Sequence, residues 1–158
     1  MARLLLFALC VLSSVLASAW SMGNPFYVRG RVYCDTCQCG FETKKTTYVP
    51  DARVRIECRD RTDLQLRYSV EGVTDSTGTY KIKVEGDQAD RLCHVVLVDS
   101  PLADCKTVDT ARNGAEVILT RSNGAISDLH YANSLGFVKD KALPGCAELV
   151  KQLLESDE

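Results

Sequence analysis

The chain has 158 residues, of which 46% are hydrophobic and 25% charged, with a formal net charge of −2. That length suffices for one domain with a core of its own. The near balance of charge gives no electrostatic reason to expect nucleic-acid binding or adhesion to an anionic membrane.

The first segment reads as a leader. Arg3 gives a short positive start and Leu4 to Leu16 is almost unbroken apolar sequence. Ala17-Ser18-Ala19 then supplies the small-x-small pattern of a signal-peptidase site, which predicts cleavage before Trp20. The apolar run falls short of the roughly 20 residues that span a bilayer as a helix. The expectation is a signal peptide over 1–19 and one mature domain over 20–158, secreted and not inserted in a membrane.

Cys10 leaves with that leader, so Cys34, Cys37, Cys39, Cys58, Cys93, Cys105 and Cys146 remain. In an oxidising compartment an odd set of this size reads as three bridges and one free thiol. Spacing leaves the pairing open. A zinc site on Cys34-x-x-Cys37-x-Cys39 would need a further soft ligand and thiolates kept reduced, and only His94 and His130 are available. A thioredoxin-like motif would need its cysteines at a helix start, whereas this pair ends a strand. Neither a metal nor another cofactor is expected.

Strand patterns dominate the middle of the chain. Phe26, Val28, Gly30, Val32 and Cys34 alternate with Tyr27, Arg29, Arg31 and Tyr33, a period-2 strand with one face inward. Phe41 to Val49 reads as an edge strand whose Lys44 and Lys45 discourage edge pairing. Ala52, Val54, Ile56 and Cys58 repeat the alternation, as do Leu64, Leu66, Tyr68 and Val70, and then Tyr80, Ile82 and Val84. Asp75-Ser-Thr-Gly78 carries Asp and Gly at the first and fourth positions of a type I turn. Cys93 to Val98 is continuously apolar, as expected of a strand covered on both faces, and Glu116 to Thr120 makes a last strand. After Pro144-Gly145, Cys146, Leu149, Val150, Leu153 and Leu154 fall on one face of a short helix. So short a helix needs docking, and Cys146 is the obvious tether. The fold class is therefore all-β: an antiparallel sandwich or partly closed barrel of six to seven strands, stapled by disulfides, with a short C-terminal helix.

Catalytic patterns are missing from the sequence. It contains no Gly-x-Ser-x-Gly, no His-Glu-x-x-His and no EF-hand loop. His94 reads as a satisfied strand histidine and His130 as a solvated loop residue. Asp60, Asp63, Asp87, Asp90 and Asp99 are more economically turn formers than a glycosidase pair or a calcium site. Arg29, Arg31, Arg53 and Arg55 together form a candidate basic face, though such alternation is more commonly a plain solvated face.

The string Gly30-Arg-Val-Tyr-Cys-Asp-Thr-Cys37 resembles the signature of the olive-pollen major allergen (Ole e I) and extensin-like family of plants. The likeness continues through Arg55-Ile-Glu-Cys58, Gly72-Val-Thr-Asp75, Cys93-His-Val-Val-Leu-Val98, Asp104-Cys105, Leu135-Gly-Phe137 and Cys146-Ala147. It implies a non-enzymatic protein of the apoplast, allergenic in pollen, and the pairing Cys34–Cys105, Cys37–Cys146 and Cys58–Cys93. Cys39 stands where relatives usually carry a small residue, which makes it the leftover thiol. The two readings are then a monomer and a disulfide dimer through Cys39. Gln38 and Ser134 also depart from the usual Arg and Pro. No Asn-x-Ser/Thr acceptor occurs, so no N-glycan is expected.

The leading functional expectation is surface recognition of a receptor ectodomain or a cell-wall polysaccharide, in pollen hydration, germination or tube growth. Two other classes compete with it. A structural wall component would usually carry proline-rich repeats, and this chain has four scattered prolines. A disulfide-rich protease inhibitor would need a rigid exposed loop between cysteines.

Overall fold

The computed structural model describes residues 24–110 and 112–155. The expected leader lies outside the described residues.

Strand β1 (Phe26–Asp35) organises the first sheet because it is long enough to carry two pairs of neighbours. Its first half lies between β5 (Thr79–Val84), antiparallel, and β9 (Leu129–Tyr131), parallel. Its second half lies between β2 (Thr47–Tyr48), antiparallel, and β10 (Leu135–Val138), parallel. A two-residue β7 (Thr107–Val108) closes that edge against β10. The second sheet runs β4 (Leu66–Val73), β3 (Arg53–Asp60), β6 (Arg91–Asp99) and β8 (Gly114–Val117), all antiparallel.

The core lies between the sheets. Val28 and Val32 of β1 and Val54, Ile56 and Cys58 of β3 are fully buried, as are Tyr80 and Val84 of β5 and Val95 of β6. Gly30 also faces inward. A β-carbon there would sit 2.2 Å from the Tyr80 hydroxyl, so the missing side chain is what makes room for that ring across the β1–β5 pair. The turn at 75–78 closes with Gly78 N–H donating to the Asp75 carbonyl at 2.9 Å, and Gly78 takes a left-handed φ of +70°. The Asp75 carboxylate accepts from Thr77 and Thr79, and these bonds hold its carboxyl below the ordinary range.

The mostly β sandwich with one terminal helix is the expected class, and its sheets do not close into a barrel. Several particulars differ. Ten strands are described rather than six or seven, and two of the pairings made by β1 are parallel rather than antiparallel. The 41–49 segment reduces to the two residues of β2, and the 116–120 strand shifts to Gly114–Val117. Leu64 and Leu66 point to solvent, with Tyr68 and Val70 packed against the core instead. Strand β6 is buried on its inner face only, because His94, Val96 and Val98 are half-exposed on the outside. Helix α1 (Cys146–Glu155) buries Cys146 and half-buries Leu149, Val150 and Leu153, but Leu154 is 68% exposed.

Candidate recognition surface

Three bridges fix the frame. Cys34 of β1 is bonded to Cys105 in the segment before β7, and Cys37 to Cys146 at the first turn of α1. Cys58 is bonded to Cys93, its direct cross-strand partner in the β3–β6 register. That last bridge staples neighbours within one sheet rather than joining the two sheets across the core.

The residues between the first two cysteines organise the loop. Asp35 is buried, and its carboxylate accepts from Cys37 N–H at 3.1 Å and Gly40 N–H at 2.7 Å. Thr36 donates to the Lys45 carbonyl at 2.8 Å. These roles escape a reading of cysteine spacing, because they depend on backbone groups that the strand pattern does not reveal. Cys39 is unbridged and half-buried beside the Asp35 carboxylate. Burial pushes its thiol above the ordinary value and the Asp35 charge adds to the rise, which keeps it in the weakly nucleophilic protonated form.

The four arginines of the candidate basic face do not share a surface. Arg53 and Arg55 belong to β3 in the second sheet, whereas Arg29 and Arg31 belong to β1 in the first. Both strands turn their apolar residues into one core, so the arginine faces look away from each other. Alternation fixes which residues point outward; the pairing decides on which sheet they do so.

The two outer faces differ in electrostatics. On the second sheet, Glu71 accepts from Arg53 at 2.8 Å and from Arg55 at 3.1 Å. Glu57 takes Arg55 at 3.1 Å and Arg59 at 2.9 Å. The Arg53 contact foremost holds the Glu71 carboxyl low. His94 stands in the same face, in register with Glu57 on one side and Glu116 on the other. This face largely neutralises itself.

The first sheet is left basic and aromatic. Its outward residues are Tyr27, Arg29 and Arg31 on β1, Lys81 and Lys83 on β5, and Tyr131 on β9. Arg31 lies over the Tyr48 ring at 3.2 Å and Lys81 over the Tyr27 ring at 4.6 Å. Lys83 pairs with Glu85 at 2.9 Å. Arg29 and Lys81 stand directly opposite each other, and neither makes an ion pair among the described residues.

Other candidate groups are already occupied. Asp60 caps Thr62, Asp63 accepts from Gln65 N–H, and Asp87 accepts from Ala89 N–H and Arg121 N–H. No cluster of three metal-ligating side chains occurs among the described residues. His130 is not a solvated loop residue. It sits half-buried on β9 with its ring edge-on to Phe26 at 5.2 Å. The polar 121–133 segment is likewise tied down at its start, where Arg121 donates to Asp128 and to the Asn24 carbonyl.

Residues 24–154 match the family described as "Pollen protein Ole e 1 like". The chain belongs to that family. It is 51% identical to the Arabidopsis thaliana "Protein DOWNSTREAM OF FLC" over 95% of this chain and 91% of that protein. It is 44% identical to the maize "Pollen-specific protein C13", covering 95% and 88% of the two chains. With the tomato "Anther-specific protein LAT52" it shares 39% identity over 96% and 94%. The crystal structure of the major plantain pollen allergen Pla l 1 superposes with a TM-score of 0.70 at 28% identity, covering 77% of this chain and 99% of that one. The maize, tomato and plantain relatives carry names of pollen and anther proteins, and none of the four is named as an enzyme. No helix among the described residues is long and apolar enough to cross a membrane.

Proposed function

We propose that this Ole e 1-like chain is a secreted, non-catalytic recognition protein of the apoplast, acting in pollen hydration, germination or tube growth. The observation that carries the reading is the covalent frame. Two bridges pin strand β1 with the loop after it, the segment before β7 and helix α1 into one body, and a third staples β3 to β6, so exposed side chains on the sheets lose little freedom when a partner docks. Family membership and the pollen and anther names of the relatives support the setting. The partner is a receptor ectodomain or a wall polysaccharide, met by an outer sheet face rather than a deep cleft.

Gene disruption in the plant that carries the protein tests this. The expected result is slower pollen hydration or shorter tubes, restored by the full-length gene but not by a version lacking residues 2–19. Normal pollen behaviour, or equal rescue by the leaderless version, contradicts it.

A further inference from the structure

Arg29 and Lys81 are paired across the β1–β5 ladder, where two like charges face each other at about 5 Å between β-carbons and oppose sheet formation. The second sheet resolves its arginines with Glu71 and Glu57. Among the described residues, no carboxylate forms an ion pair with either of these two cations on the first sheet. Of the acids nearest this face, Asp75 caps its own turn and acts on Arg29 only through space, Glu85 holds Lys83, and Glu42 interacts with Tyr48. The face also carries a strongly exposed ring. Tyr131, in register with Arg29, is 71% exposed. Beside it lies an open depression of about 300 Å³ between Arg29, Arg31, Thr79 and Tyr131.

We infer that this face of the first sheet binds an acidic polysaccharide, a polymer of uronic acids with free carboxylates. The inference rests on the recognition reading above and names its partner class. Outward residues two apart on a strand lie about 7 Å apart, and adjacent strands about 4.8 Å apart, so Arg29, Arg31 and Lys81 form a flat triangle of cations. A uronate chain offers one carboxylate per sugar at regular intervals. One carboxylate between Arg29 and Lys81 relieves their repulsion, and a guanidinium can take it through two parallel hydrogen bonds. The apolar C–H face of a neighbouring sugar ring then lies on Tyr131. An acidic peptide satisfies the charges but presents no such flat face to the ring. A neutral polysaccharide satisfies the ring alone.

Binding of the disulfide-intact protein to de-esterified polygalacturonate, its fully methyl-esterified form and poly-glutamate tests the inference. The expected result is binding to the first polymer only, weakening with salt. Arg29→Glu/Lys81→Glu and Tyr131→Ala each lower the affinity by about tenfold or more, a change of about 1.4 kcal/mol. The second-sheet variant Arg53→Glu/Arg55→Glu leaves it unchanged. All substituted side chains are surface groups, and an unchanged melting temperature certifies folding. Equal binding by the first-sheet variants, binding to poly-glutamate as tight with no effect of Tyr131→Ala, or no binding to any polyanion overturns the inference. Those outcomes leave the recognition reading standing, since it fails only on normal pollen behaviour after gene disruption or on equal rescue by the leaderless version.

Discussion

Replacing Cys34 and Cys105 together by alanine lowers the unfolding free energy by about 4 kcal/mol. The two sulfurs close a loop with a sequence separation of 71, and cutting it returns that closure entropy to the unfolded chain. Both residues are almost wholly buried, so the truncation also leaves the core short of contacts. Urea unfolding of the wild-type and doubly substituted proteins reads the difference. Since natural domains are stable by only about 5–15 kcal/mol, the variant stands near the edge of folding at physiological temperature. A loss below about 1 kcal/mol would show that the bridge merely decorates contacts that already hold the segment before β7 in place.

Phe137→Ala has a comparable effect for a different reason. Phe137 is fully buried on β10, in register with Cys34 on one side and Val108 on the other. Removing a buried phenyl ring costs about 3–5 kcal/mol through lost transfer energy and the cavity left behind. Phe137→Leu, which keeps more of the apolar volume and leaves a smaller cavity, costs clearly less than Phe137→Ala. Unfolding measured by near-ultraviolet circular dichroism separates the two substitutions. Equal costs for both would mean that the site collapses around the cavity and that β10 is not a fixed part of the core.

The same strand shows where sequence reading stops. Strands β1, β3 and β5 announce themselves, because six to ten residues of alternation leave one apolar face apiece and that face must be buried. Leu135–Val138 is too short to carry a period, and its partner in β1 lies about a hundred residues earlier, so no local pattern specifies it. β9 is shorter still, which is why His130 reads as a loop residue although pairing with Val28 and packing against Phe26 place it in the sheet. The helix was legible from its spacing, but Leu154 belongs to the same apolar stripe and faces solvent, since the docking ends before it.

The candidate surface was legible in half. Outward arginines follow from strand alternation alone. Whether an arginine is neutralised depends on what lies opposite it, and that is set by register. Arg55 meets Glu71, a residue sixteen positions away, whereas Arg29 meets Lys81, fifty-two positions away. The resulting contrast between a self-neutralised face and a basic, aromatic one is therefore a property of strand order. The Asp35 carboxylate illustrates the same limit: inside the signature it looks like one more surface acid, yet it is buried and holds the backbone of the cysteine loop.

The covalent frame on which rigid presentation of these faces depends is tested most directly by mapping the cysteines of the protein recovered from the extracellular fluid. Non-reducing intact mass followed by peptide mapping is predicted to find Cys34–Cys105, Cys37–Cys146 and Cys58–Cys93, with one alkylatable thiol at Cys39. A different pairing, or a mature chain with all seven thiols reduced, would contradict the account.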